Sequence, residues 1–307
     1  MTDGVVSAVV APRETYRHTR RTVERLLGDP GLREVVVVTE GHAPARLCRW
    51  LDAAPVVHVH RSEPTGANEC RMLGVERSLA PYVLLLDNDC LLSPGAVTHL
   101  VDRADATQAA FVSPVIDYVV GGVHFAGGPC RLVGDPPFAL VDHHVRAEEF
   151  ADVDHPPPAC PTESAEMHAV LVRRPALDAA GGLDRSLRSS MDVIDLSLRL
   201  QAQPGGGWVE PRARGTYDNR LPRVDELPFF WSRWARPTVD HDIDAFCRAW
   251  DVGSDDPRVQ EHRDSCASRR LRPVRLARGT LRRTAGDGAA ARFDRRFDGL
   301  IARYAPV

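Results

Sequence analysis

The chain has 307 residues, 43% hydrophobic and 26% charged, with a formal net charge of −3. That length suits one large α/β domain or two small ones, and that composition excludes wholesale disorder. The small net charge gives no global sign of a nucleic-acid partner, and the 39 basic residues, all arginine, read as GC-rich coding bias rather than chemistry.

In chain order, apolar β-branched runs at Val5–Ala11, Glu34–Thr39, Val56–His60, Tyr82–Leu86 and Ala109–Pro114 predict strands. Between them, helical spacing predicts helices over Thr15–Gly28, Ala43–Ala53, Gly66–Ala80 and Pro94–Ala104. Strands alternating with helices read as βαβ units on a parallel sheet, and strands apolar throughout suit a sheet covered on both faces. Past Asp117 the texture changes. "VVGGVHFAGGPCRLVG" predicts a glycine-turned hairpin, and a polar, proline-rich excursion follows. Glu166–Arg174 predicts a strand, "PALDAAGGLD" a short helix and turn, Ser189–Gln203 a helix with serine at its N-cap, and Gly206–Tyr217 a last strand. "FFWSRWARP" and "AFCRAW" predict aromatic anchors of a C-terminal helix pair, ahead of an arginine-rich stretch from Arg263 to Tyr304. Seven cysteines, an odd number without a C-x-x-C pair, fit reduced thiols better than a disulfide frame or a zinc site. No signal-peptide pattern and no long apolar segment is present, so the expected location is cytoplasmic or membrane-peripheral.

In an open parallel sheet, ligands bind outside the carboxyl ends of the strands. "APRE" (Ala11–Glu14), Glu40, Arg61 and Asp87-Asn88-Asp89 fall there. An Asp-x-Asp at the end of a buried strand suits Mg²⁺ or Mn²⁺ with substrate phosphates; the alternative is one turn cap and one solvated acid. Asn68 and Arg71 share a helical face near an N-terminus, an arrangement for phosphate or a solvated polar face. Asp192 and Asp195 stand one turn apart, and Asp195 lies four before Arg199. They read as a helix-start charge at Asp192 and an ion pair with Arg199 at Asp195, or as the place of a catalytic base.

Taken in order, strand–"APRE", strand–Glu40, "GANECRMLG", "YVLLLDND", "GGLD" and "DVIDLSLRL" resemble an inverting family-2 glycosyltransferase of the GT-A fold over roughly residues 5–250. "VHFAGG" and "EMHAVLVRR" are similar to one bacterial subgroup of that family. The resemblance implies a GT-A domain over 1–250, with a nucleotide half at about 1–115 and an acceptor half at about 116–250, and a helical extension over 251–307. It implies a nucleotide-diphosphate sugar donor and a hydroxyl-bearing acceptor. Donor contacts would come from Ala11, Pro12, Arg13, Glu14, Glu40, Asn68, Arg71, Asp87 and Asn88. Asp87 and Asp89 would hold a divalent cation, Mn²⁺ or Mg²⁺, and Asp192 would be the catalytic base. Glu166 and His168 would line the acceptor side. Departures from the family pattern are "APRET" after strand one, Glu40-Gly41-His42 for Asp-Gly-Ser, Met72 for a second Asn, Asp192-Val193 for Glu-Asp, and Tyr217 near a late histidine's place.

His124 and the pair His143-His144 are further acceptor-site candidates, against ordinary surface or core histidines. Trp231 and Trp234, three apart, read as a packing stripe. Arg269, Arg270, Arg272, Arg275, Arg278, Arg282 and Arg283 form a tail suited to an anionic membrane or a polyanionic acceptor, or to a solvated helix. Two other functions keep the same sheet: a non-catalytic nucleotide-sugar or glycan-binding module, and a nucleotidyltransferase.

Overall fold

The computed structural model describes residues 4–145 and 148–304, with side chains to residue 295. The first half runs β1 (Val6–Ala11), α1 (Thr19–Leu27), β2 (Leu32–Thr39), α2 (Ala45–Ala53), β3 (Val57–His60), α3 (Ala67–Arg77), β4 (Tyr82–Asp87), β5 (Cys90–Leu92), α4 (Ala96–Thr107) and β6 (Phe111–Tyr118). The second continues with β7 (Val123–Phe125), β8 (Cys130–Val133), β9 (Ala139–Asp142), β10 (Cys160–Thr162), β11 (Ala169–Arg173), α5 (Arg174–Ala179), α6 (Asp192–Gln201) and β12 (Gly207–Tyr217). Four helices close the chain: α7 (Leu227–Trp234), α8 (Arg236–Trp250), α9 (Pro257–Ala285) and α10 (Asp287–Tyr304).

The main sheet has the order β10-β12-β6-β11-β4-β1-β2-β3, with β5 on β12 and β7 on β6. Strands β3, β2, β1 and β4 run parallel, joined by crossover helices, and β6 and β12 run the same way. β11 is inserted antiparallel between β4 and β6. Successive strand residues face opposite sides. Val6, Ala8, Val10, Leu84 and Leu86 pack with Val23 of α1, Leu51 of α2 and Leu100 of α4. Val9, Val83 and Leu85 pack with Cys70 and Val75 of α3, Leu177 of α5 and Leu196 and Leu200 of α6. Each fully buried leucine contributes about 1.5–3 kcal/mol. α3 lies so close to β1 that a Cβ on Gly74 would meet Val9 Cγ1 at 2.3 Å. The outer face of α6 packs a third cluster, with Phe230, Trp234, Ile243 and Phe246 of α7 and α8 and Cys266 of α9.

Several expectations are corrected. α1 starts at Thr19 rather than Thr15, because the amides of Tyr16 and Arg17 donate to Glu226 Oε1 instead of opening a helix. The single hairpin is two: β7 folds back on β6 around Gly121-Gly122, and β8 pairs with β9. The late strand begins at Ala169, so Glu166 and His168 precede it. α6 has no serine cap. Met191 occupies the cap with φ +59°, and the Ser189 and Ser190 amides donate instead to Asp242 on α8. The arginine-rich stretch forms α9 and α10 beyond the predicted helix pair.

Candidate active site

β1, β2 and β4 deliver Ala11, Thr39 and Asp87 to one edge of the sheet. Since β11 is antiparallel, its start lies at that same edge, and the Asp87 amide donates to the His168 carbonyl. The loop before α6 arrives there too, fixed by Asp242, which accepts from the amides of Arg188, Ser189 and Ser190.

One buried arginine ties these elements together. Arg71 Nη2 lies 2.8 Å from Asp87 Oδ1, and Nη1 lies 2.7 Å from Asp192 Oδ2 and 3.0 Å from Asn68 Oδ1. Arg13 Nη2 adds the Ser189 carbonyl at 2.8 Å and Asp192 Oδ1 at 3.4 Å. Burial pushes the Asp192 carboxyl up, but Arg13 and Arg71 overcome it and hold the group below its ordinary value. Asp192 is therefore an ionised carboxylate.

Asp89 has the opposite surroundings. It is buried, and its Oδ1 has no hydrogen-bond partner. Burial raises its carboxyl to about 7, opposed by His168 and reinforced by Asp87. Asp87, Asp89 and His168 each offer a ligand atom, all within 4.8 Å of one another. His168 Nδ1 lies 2.5 Å from Glu166 Oε1. Burial alone would lower the imidazole, but Glu166 reverses the sign and raises it. Glu166 is pushed up by burial and pulled further down by His168, His124 and His144. An orphaned carboxylate oxygen beside a second carboxylate and an imidazole fits a divalent cation, with hard oxygen donors and an anchored histidine.

The expected donor contacts are gathered at this edge, though most already have protein partners. The Pro12 carbonyl and Glu40 Oε1 accept from Arg233 Nη2 at 3.2 and 3.1 Å. Glu40 Oε2 accepts from the amides of Thr65 and Gly66. Asn88 donates to the Thr15 carbonyl and Thr19 Oγ1, tethering β4 to the loop before α1. Asn68 Nδ2 donates to the Asp184 carbonyl. Asp195 is paired with Arg199 Nε at 2.7 Å and accepts from Trp250 Nε1.

Sequence reasoning missed what the C-terminal helices add. Arg233 and Trp234 of α7 lie under the β1 loop; Trp234 has the guanidinium of Arg13 on its ring at 5.3 Å and that of Arg269 at 4.9 Å. Arg269, counted in the arginine-rich tail, pairs with Glu14 at 2.7 Å and donates to the Tyr217 hydroxyl. The cleft lined by Glu14, Asp89, Tyr217, Phe230 and Arg269 holds only about 10 Å³.

Residues 10–132 match the model of the family described as glycosyl transferase family 2. A search of curated proteins returns no match. Among solved structures, the chain is similar to GalNAc-T7 with UDP, GalNAc and Mn²⁺, at 15% identity and a TM-score of 0.56 over 85% of this chain and 54% of that one. It thus spans about half of that protein. It is also similar to S. aureus TarS residues 1–349 in complex with UDP-GlcNAc, at 12% identity and a TM-score of 0.51 over 87% of this chain and 72% of that one. At such identities the likeness shows the fold, which is GT-A.

Proposed function

We propose that the chain transfers a sugar from a nucleotide-diphosphate donor to a hydroxyl-bearing acceptor, with inversion at the anomeric carbon. The observation that supports this most is the meeting at the sheet edge of an arginine-bound carboxylate, Asp192, with Asp89, a buried carboxylate whose Oδ1 is unpartnered, beside Asp87 and His168. The family-2 match, the UDP, GalNAc and Mn²⁺ of the one similar structure and the UDP-GlcNAc of the other support the same reading.

Asp87, Asp89 and His168 would hold a divalent cation, and the imidazole favours Mn²⁺ over Mg²⁺. When bound, it supplies Lewis-acid neutralisation of the departing diphosphate. Arg13, Glu14 and Glu40 border the space for base and ribose. Arg269 lies close enough to Asp89 to meet the diphosphate. The cleft is far smaller than a sugar nucleotide, against about 300–1,000 Å³ for ordinary ligand sites. Donor entry therefore displaces the Arg269–Glu14 contact and shifts α9. Asp192 is ionised, as a general base must be, and takes the acceptor proton as the hydroxyl oxygen attacks the face opposite the leaving group. Movement of Arg13 towards the donor phosphates raises its basicity. Glu166 fixes His168, and the two also border the acceptor side. Exposed Arg278 and Arg282 on α9, paired with Asp294 and Asp287, would suit peripheral contact with an anionic surface.

The test is turnover with a panel of nucleotide sugars. Asp192→Asn should lose at least a hundredfold in kcat and keep donor binding. Equal turnover in wild type and variant contradicts the role of Asp192; donor binding without any turnover in wild type favours the binding-module reading.

A further inference from the structure

Beside the D-x-D group lies a second cluster. Glu166 turns Oε1 to His168 at 2.5 Å, while Oε2 faces away, towards two more imidazoles. His124 Nε2 and His144 Nδ1 each lie 3.8 Å from that oxygen. The three ligand atoms lie within 4.8 Å of one another. Such spacings are too long for hydrogen bonds. They are close to the edges of a coordination tetrahedron, whose ligand atoms about 2.1 Å from a zinc ion stand about 3.4 Å apart.

We propose that His124, His144 and Glu166 form a second cation site, selective for a borderline transition ion of the zinc class and separate from the Asp87–Asp89–His168 site.

The donor set is two imidazoles and a carboxylate, which suits Zn²⁺, whereas the D-x-D group offers mostly hard oxygens. Three protein ligands leave a fourth position for water or an acceptor oxygen. An outer shell is in place as well. His124 Nδ1 lies 2.9 Å from the Tyr118 hydroxyl, a contact that holds the ring with Nε2 turned towards Glu166. The Phe125 ring packs perpendicular to the His144 ring at 5.1 Å, and His168 packs edge-on to His124 at 5.0 Å. Glu166 itself is buried, and the two histidines are partly buried. Three separate segments converge on it: β7 brings His124, the loop after β9 brings His144, and the approach to β11 brings Glu166. Glu166 is thus shared, an outer-shell partner of one cation through His168 and a direct ligand of the other. The inference does not depend on the chain being a transferase.

The test is metal binding to the full chain after chelator treatment. Zn²⁺ is counted by elemental analysis, and Co²⁺ is followed through its visible absorption, which is intense for four-coordinate sites. Wild type and Asp89→Ala should both take up one tight Zn²⁺ and show the Co²⁺ band. His144→Gln, on a partly exposed loop, should lose the band and at least tenfold in affinity. Tyr118→Phe should weaken binding about tenfold by loosening His124. Far-UV circular dichroism confirms that each variant is folded, and His124→Gln repeats the arm if His144→Gln is not. Zn²⁺ uptake that disappears in Asp89→Ala and is unmoved by His144→Gln overturns the proposal, as does no tight uptake by folded wild type.

Discussion

Asp87 and Asp89 leave the same strand one residue apart and enter two opposite regions. On the arginine side, built by β1, α3 and the start of α6, Arg71 and Arg13 match the charges of Asp87 and Asp192. On the histidine side, built by β7, the loop after β9 and the approach to β11, Asp89 is buried with an orphaned oxygen and a carboxyl raised to about 7. A region whose charges are already paired is architecture around a site. A region that leaves a buried carboxylate under-coordinated is where a ligand's charge completes the structure.

The comparison breaks most visibly at Arg71. Removing one partner of a buried ion network leaves charges uncompensated, at a cost of about 3–5 kcal/mol. Arg71→Ala should lose that much in denaturant unfolding; a loss below about 1 kcal/mol would mean that solvent already shares the network. Asp89→Asn should do the reverse. The folded pKa of Asp89 lies above its unfolded value, so the stability it contributes is present at low pH and disappears as pH rises through about 7. The variant should therefore be more stable than the cation-free wild type at pH 8, by about 1–2 kcal/mol. That advantage should shrink as pH falls from about 7 towards 4, followed as Tm against pH. Asp192 has the opposite sign. Its folded pKa is depressed, so its stabilisation is present above the ordinary carboxylate range near pH 4 and disappears below it. The denaturation midpoint of wild type should drop through that range, and Asp192→Asn should flatten the profile. The smallest effect belongs to Arg199→Ala, whose pair with Asp195 is one-quarter exposed on the arginine side. It should cost less than about 1 kcal/mol in the same unfolding experiment.

The parallel half was legible because β1, β2 and β4 carry unbroken apolar runs over 8–11, 35–38 and 82–86, as a doubly covered sheet requires, and because Asp87-Asn88-Asp89 interrupts that texture at once. The same half hid how its acids are spent. Nothing in the spacing of Glu40 or Asn68 says that Arg233 and Asp184 answer them from more than 100 residues away. β11 carries no mark of its direction, so the arrival of His168 beside Asp87 was out of reach although both residues had been singled out. Asp242 looks like any charge on the solvent face of a helix until it is seen holding three amides. Arg269 is one of many arginines in α9, and only packing separates it from its exposed neighbours.

Asp89, the under-coordinated carboxylate on the histidine side of the sheet edge, awaits a cation and a nucleotide diphosphate. Calorimetric titration with UDP, GDP and dTDP, each with Mn²⁺ and with chelator, on wild type and Asp89→Ala, tests it most directly. The account predicts Mn²⁺-dependent binding of one nucleotide by wild type, weakened at least tenfold in the variant. Failure of every nucleotide to bind folded wild type, or binding that is equal in the variant and in chelator, would contradict it.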